Sequence, residues 1–139
     1  MIRHTYEAVV SPSPERLFRA IADVASWPEW DSELESVEPP STVLAGTGFA
    51  LKPRGGPRVR MTIESVEANR RFVDVSHLPL AKMRTSHEFT PEAGGGTRVR
   101  VTIEVSGPLG FLWDRIVARK QAAGARAQTA AFARYAGAS

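Results

Sequence analysis

The chain is 139 residues long, with 42% hydrophobic and 24% charged residues and 18 Lys plus Arg against 15 Asp plus Glu. That length and balance suit one domain over residues 1–139 with a single core, and exclude a disordered or fibrous chain. Cys is absent, which excludes disulfides, thiol nucleophiles and thiolate metal sites.

Pattern narrows the class further. Arginine far outnumbers lysine, yet the arginines are interleaved with Glu and Asp and no run is polybasic. A solvated charged surface is therefore expected, and no nucleic-acid partner. No apolar run approaches the length of a bilayer span, so no membrane insertion is expected. The opening "MIRHTYEAVV" has no apolar signal core and no small-residue cleavage site, and a cytoplasmic location is the expectation.

"IRHTYEAVV" alternates, with Ile2, His4, Tyr6, Ala8 and Val10 on one face, which predicts a half-buried strand. In "SPSPERLFRAIADV", Ser13 suits an N-cap and Pro14 the first helical position. Leu17, Phe18, Ile21 and Val24 then share one side of a short helix. Pro28 predicts a second, very short helix carrying Trp30 and ending near Asp31. From there the period changes to two. "LESVE", "FALK", "RVRMTIESVE", "RFVDVSH", "AKMRTSHEFT" and "TRVRVTIEVS" predict six strands joined by Gly, Pro and Asn turns, an antiparallel meander with one apolar face. The segment from "FLWDRIV" to "FARY" lacks proline and predicts a helix of roughly 25 residues, about 37 Å long. Its expected apolar stripe starts with Leu109, Leu112, Trp113, Ile116 and Val117, then thins to Ala123, Gly124, Ala127 and Ala131.

A seven-stranded sheet cannot leave its apolar face open, and the long helix is the one cover of adequate length. Small residues in the middle of that helix leave two alternatives: the sheet approaches closely, or space remains. The second predicts a cavity on the order of a few hundred Å³.

The words "VSPSPERLFRAIADVASWPEWDSELESVE", "GGGTRVRVTIEV" and "GPLGFLWDRIV" resemble the START-like (SRPBCC) superfamily of polyketide cyclases, dehydrases and lipid-transport proteins. The first carries most weight, with its small-Pro-Glu helix start and W-x-x-W corner. The resemblance spans the chain. It implies an α+β helix-grip fold: a curved seven-stranded antiparallel sheet around a long C-terminal helix, with two short helices between the first and second strands. It further implies a hydrophobic small-molecule partner, such as a lipid, polyketide or aromatic metabolite, held between sheet and helix. The cavity would open between the turns "KPRGGP" and "HLPLA". The superfamily shares no catalytic residue, so it transfers none. Trp27 is expected to seal the core, whereas sealing and pocket-lining stay open for Trp30.

Alternation places His4, Tyr6, Val59, Met61, Ile63, Val73, Val75, His77, Met83, Thr85, His87, Phe89, Val99, Val101 and Ile103 inward, although His77 lies at a strand end, where an exposed turn position is the stronger expectation. The expected ligand-binding set is Tyr6, Trp30, Met61, Ile63, Val75, Met83, Thr85, His87, Phe89, Val101, Trp113, Val117 and Gly124. Buried polar groups need partners, which singles out Tyr6, Thr85, His77 and above all His87. A neutral imidazole on an apolar face orients a ligand carbonyl or acts as a general base, and His87 is the candidate catalytic residue. The bland alternative is a core histidine bonded to a backbone carbonyl or to Tyr6. The three histidines lack metal-ligand spacing and no cofactor motif is present, so neither metal nor cofactor is expected. Glu64, Glu88 and Glu104 fall on the wet face by phase, while the face of Asp74 depends on the register of its strand and stays open. Arg58, Arg60, Arg98 and Arg100 share the outer face, and with Glu64 and Glu104 at the same phase cross-strand ion pairs are a more economical account than an arginine patch. A binding or carrier protein is the primary expectation. A cofactor-free cyclase or dehydratase and a protein-interaction module are the alternatives, and a homodimer is compatible with each.

Overall fold

The structure, a computed structural model, describes residues Met1–Ala138. The strands are β1 (Ile2–Val10), β2 (Leu34–Glu38), β3 (Gly48–Pro53), β4 (Val59–Glu67), β5 (Arg71–Leu78), β6 (Ala81–Pro91) and β7 (Thr97–Ser106). They form one antiparallel sheet in the order β1-β7-β6-β5-β4-β3-β2. The two edge strands are consecutive in the chain, so the segment joining them crosses the full width of the sheet. That segment is α1 (Pro14–Ala22), a 3₁₀ turn (Val24–Ser26) and α2 (Trp27–Trp30). Ser13 caps α1 by accepting the Arg16 backbone N–H at 3.2 Å, and Pro14 occupies the first helical position. This is the expected helix-grip architecture.

Over the sheet runs the C-terminal helix: α3 (Gly110–Trp113), a π turn (Asp114–Ala118) and α4 (Arg119–Ala138). Its buried positions are Gly110, Asp114, Ala118, Ala125, Thr129, Phe132 and Ala136. The expected stripe is therefore out of phase. Gly124, Ala123, Ala127, Leu112 and Ile116 are all exposed, and a Cβ added at Gly124 would meet nothing within 4 Å. Two physical causes act together. His4 on β1 donates from Nε2 to Asp114 Oδ1 at 2.6 Å, drawing a polar residue to the inner side where an apolar one was expected. The π turn absorbs an extra residue, which rotates everything after it.

One strand is also out of phase with expectation. In β5, Phe72, Asp74 and Ser76 pair with His87, Thr85 and Met83 on the inner face. Val73, Val75 and His77 point outward instead. The bulge between Ile63 and Ser65 of β4 shifts the pairing that a straight alternation assumes. Val73 is fully buried even on the outer face. Arg71 and Arg84 flank it there, with aliphatic stems long enough to cover it.

Ion pairs cover the outer face: Glu64 and Glu104 are paired as expected, though with Arg84 and Arg3, and Arg58–Glu38, Lys52–Glu35 and Arg98–Glu92 join them. At the other end of β7, the chain closes tightly on β1. Gly96 has φ +79°, and a Cβ there would sit 2.4 Å from the Val10 carbonyl oxygen.

These placements predict opposite outcomes for two glycines. Gly124→Ala should stabilise the protein by about 0.5–1 kcal/mol, because an exposed helical glycine loses only backbone entropy. Gly96→Ala should cost at least about 1–3 kcal/mol from backbone strain alone. Urea denaturation of both variants checks this; destabilisation by Gly124→Ala would mean the helix faces the sheet differently.

Candidate functional site

The inner face is read most easily as cross-strand rows. One row runs Tyr6, Val101, His87, Phe72 across β1, β7, β6 and β5. The next runs His4, Ile103, Thr85, Asp74, Ile63. A third carries Val105, Met83, Ser76, Met61 and Phe49. Of the expected set, Tyr6, Met61, Ile63, Met83, Thr85, His87, Phe89 and Val101 thus share one face. Trp113 and Val117 pack half-buried against the core from the C-terminal helix. Val75 and Gly124 do not belong: the first sits on the outer face opposite Thr62 and Arg84, the second faces solvent.

The W-x-x-W corner sits against this face. The Trp27 indole N–H donates to the Ile21 carbonyl at 2.9 Å, and its ring meets Phe49 and Phe72 edge-on at 5.6 and 6.0 Å. Trp27 is a structural seal, as expected. Trp30 differs. Its ring lies 6.2 Å from Trp27 and 4.8 Å from Phe132 of α4, and its Nε1 is buried with no hydrogen-bond partner. Phe132 in turn lies 6.4 Å from the His87 ring, and His87 is the cross-strand partner of Phe72. Phe72, Trp27, Trp30, Phe132 and His87 therefore form a run of neighbouring rings that joins α2, α4 and the centre of the sheet.

His87 Nδ1 is buried and unpartnered too. Neither Tyr6 nor a backbone carbonyl satisfies that nitrogen. Tyr6, Thr85 and His87 are only half-buried as residues, although they lie between sheet and helix. Burial of the ring nitrogens nonetheless lowers the His87 pKa from 6.5 to about 4, so its imidazole is neutral.

Asp74, whose face the sequence left open, lies inward. It is buried on the inner face, directly across from Thr85 and diagonal to His87. Burial raises its pKa from 3.8 to about 7, which keeps the carboxyl protonated in mildly acidic solution. The largest apolar residue of "RFVDVSH", Phe72, is the signal that would have put the even positions inward. His77, inward by alternation but at a strand end that favoured exposure, shares a 2.7 Å hydrogen bond with Thr62 on the outer face.

Two clefts of about 410 and 290 Å³ also lie on the outer face. The larger has Thr62, His77 and Arg84 in its wall, the smaller Thr5, Ser86 and Thr102. Their rims carry the ion pairs already described, and neither is the hollow expected beneath the helix. The turns expected to frame an entrance are tied down. Leu80 O accepts the Leu109 N–H at 3.0 Å, Pro79 O accepts the Trp113 indole N–H at 2.8 Å, and Arg54 Nε donates to Ser32 O at 2.7 Å. Among the described residues no cluster of three or more His, Asp or Glu is placed to hold a metal. No helix of the described residues is long and apolar enough to cross a membrane.

A family profile described as polyketide cyclase / dehydrase and lipid transport matches residues 1–137. The chain belongs to this family. No curated protein sequence matches it. A solved structure from Thermus thermophilus superposes with a TM-score of 0.74 at 21% identity, covering 99% of this chain and 98% of that one. Norcoclaurine synthase from Thalictrum flavum, in complex with dopamine and hydroxybenzaldehyde, gives 0.73 at 13% identity over 96% and 85%. The di-domain ARO/CYC StfQ of the steffimycin biosynthetic pathway gives 0.74 at 14% over 97% of this chain and 50% of that one. At these identities the likeness is one of fold, and family membership supports a ligand-binding role.

The two buried titratable groups make a pH prediction. Asp74 keeps its proton in the folded protein after the unfolded chain has lost it. Its contribution is therefore intact below about pH 4 and drains away as pH rises towards 7. His87 works the other way. The unfolded chain binds a proton first, so its contribution is present above about pH 6.5 and lost as pH falls towards 4. The opposed slopes should leave the native protein nearly flat from pH 4 to 6.5. In urea titrations, Asp74→Asn should expose stability rising with pH, and His87→Gln stability falling with pH. Unchanged slopes in both variants would show that neither group is buried as described.

Proposed function

We infer that the protein binds a small hydrophobic molecule between the inner face of its sheet and the C-terminal helix. The observation that carries this is the group of polar residues, Tyr6, Thr85 and His87, that stay only half-buried in the middle of the inner face, beneath the helix. A face closed for stability alone would bury apolar side chains there in full. The family description, and the small aromatic molecules held by the Thalictrum enzyme of the same fold, point the same way. Native mass spectrometry of the purified protein should detect a co-purified apolar molecule. Thr85→Phe, which fills the space opposite Asp74, should remove it while circular dichroism stays native. A ligand retained in full by this variant would place binding elsewhere.

A second reading rests on Asp74 and His87 being tuned in opposite senses on adjacent strands. One holds a proton near neutrality and the other is free to take one, the division of labour that proton transfer at a carbonyl compound needs. In a cyclisation or dehydration, His87 would remove a proton from carbon while Asp74 gives one to oxygen. On this reading Asp74→Asn and His87→Gln each lower turnover by about 10²–10⁴-fold with substrate binding retained. Single-turnover assays on a linear diketone test it, and wild-type turnover in either variant would dismiss it.

A further inference from the structure

We propose that the start of the C-terminal helix and the β5–β6 turn beside it form a docking surface for an anionic bilayer, on which the protein lies without crossing it. The apolar part of this surface is Leu80, Phe111, Leu112 and Ile116, and the charged part Arg115, Arg119 and Lys120. It lies outside the interior described above and does not rest on ligand binding there.

Three observations carry it. First, large apolar side chains stand out together at this end of the molecule. Leu80 and Phe111 are each 66% exposed, Ile116 46% and Leu112 38%. The turn is tied to the helix start, since Leu80 O accepts the Leu109 N–H and Pro79 O the Trp113 indole N–H. Second, Leu80 occupies a backbone position that leucine disfavours. It has φ 54°, in the left-handed region, within the two-residue turn between Leu78 and Ala81. Turns give such a position to Gly or Asn, and a leucine there is strained. Its exposed side chain gains little inside the protein, so a contact outside is what leucine supplies. Third, the charge on the helix is of one sign. Arg115, Arg119, Lys120, Arg126 and Arg134 are all exposed, and the one acid of the helix, Asp114, is buried. Among the described residues only Arg119 of these five meets a carboxylate, that of Asp114 at 3.5 Å. The outer face of the sheet pairs its cations; this face leaves them free. Exposed apolar side chains among unpaired cations suit the headgroup level of an anionic membrane. A second copy docked here about a two-fold axis would set like charges against each other. Nucleic acid would meet the cations and leave Leu80 and Phe111 without an apolar partner.

Co-sedimentation of the full chain with vesicles tests this, using phosphatidylcholine alone and phosphatidylcholine with phosphatidylglycerol in equal parts. The mixed vesicles should bind at least about tenfold more tightly, and high salt should remove most of that difference. Phe111→Ser combined with Ile116→Ser should weaken binding about tenfold or more, through lost apolar burial. Arg115→Gln combined with Lys120→Gln should weaken it about thirtyfold. Leu80→Gly separates docking from folding. Its vesicle binding should fall about threefold or more, while its urea midpoint holds or rises because glycine accepts the left-handed backbone. No binding to the mixed vesicles, or equal binding to the neutral ones, overturns the proposal, as do variants that all bind like the unaltered protein. Sedimentation velocity adds a further check: a dimer that Phe111→Ser dissociates would assign this face to a second copy and overturn it too. The two vesicle types compared on the unaltered protein decide alone, should a variant not fold.

Discussion

A curved sheet with one apolar face must be covered, and here a single helix does the covering under the constraint of one hydrogen bond. His4 lies on an edge strand and Asp114 in the π turn, 110 residues later, and their 2.6 Å contact sets the angle at which the helix meets the sheet. With Asp114 turned in, the positions one and two turns on are Ala118 and Ala122, and farther along Phe132 arrives over the centre of the sheet. Had Leu112 and Ile116 been turned in instead, Phe132 would point elsewhere and its ring contacts with Trp30 and His87 would be lost. A buried polar contact of this kind adds little net stability; Asp114 also meets Arg119 of its own helix at 3.5 Å, and the bond to His4 is the one that ties it to the sheet and so favours one arrangement over another.

The interior beneath Phe132 departs from what stability alone would select. The Asp74 carboxyl and the His87 ring nitrogens are held away from water, and the shifts in both pKa values show that each group is driven to its neutral form. Replacing either by an aliphatic residue would remove that cost. Proteins break the rules of core composition where a site needs it, and here the exceptions are not scattered. They gather on β5 and β6 within reach of the W-x-x-W corner. The two tryptophans of that corner divide the work. Trp27 commits its N–H to α1 and locks the corner in place, and Trp30 keeps its N–H uncommitted.

The outer face has the opposite character. Arginines there meet carboxylates across neighbouring strands, so the net positive charge does not gather into a patch. Exposed pairs of this sort are worth about 0–1 kcal/mol each. Their role is to keep a broad, twisted sheet surface wet, and their long stems shield the small residues of its middle rows, Val73 and Ser86 among them.

By itself the sequence determined the element order, the strand boundaries to within a residue or two, the capped start of α1 and the face of β1, β6 and β7. These rest on local physics: alternation, proline and serine at a helix start, and glycine at turns. It also located His87 and Thr85 inside, because β6 is a regular strand with one wet face. Three things were decided only by tertiary structure. The phase of β5 depended on a bulge in its neighbour, and Phe72 and Val73 are buried on opposite faces, so alternation gave two conflicting answers and only the bulk of Phe72 hinted at the right one. The phase of the C-terminal helix depended on a partner 110 residues away and on a π turn, neither of which leaves a periodic trace. The unmet hydrogen-bonding capacity of Trp30 and His87 is a property of what surrounds them, since whether a buried nitrogen has a partner is settled only when every neighbouring element is in place.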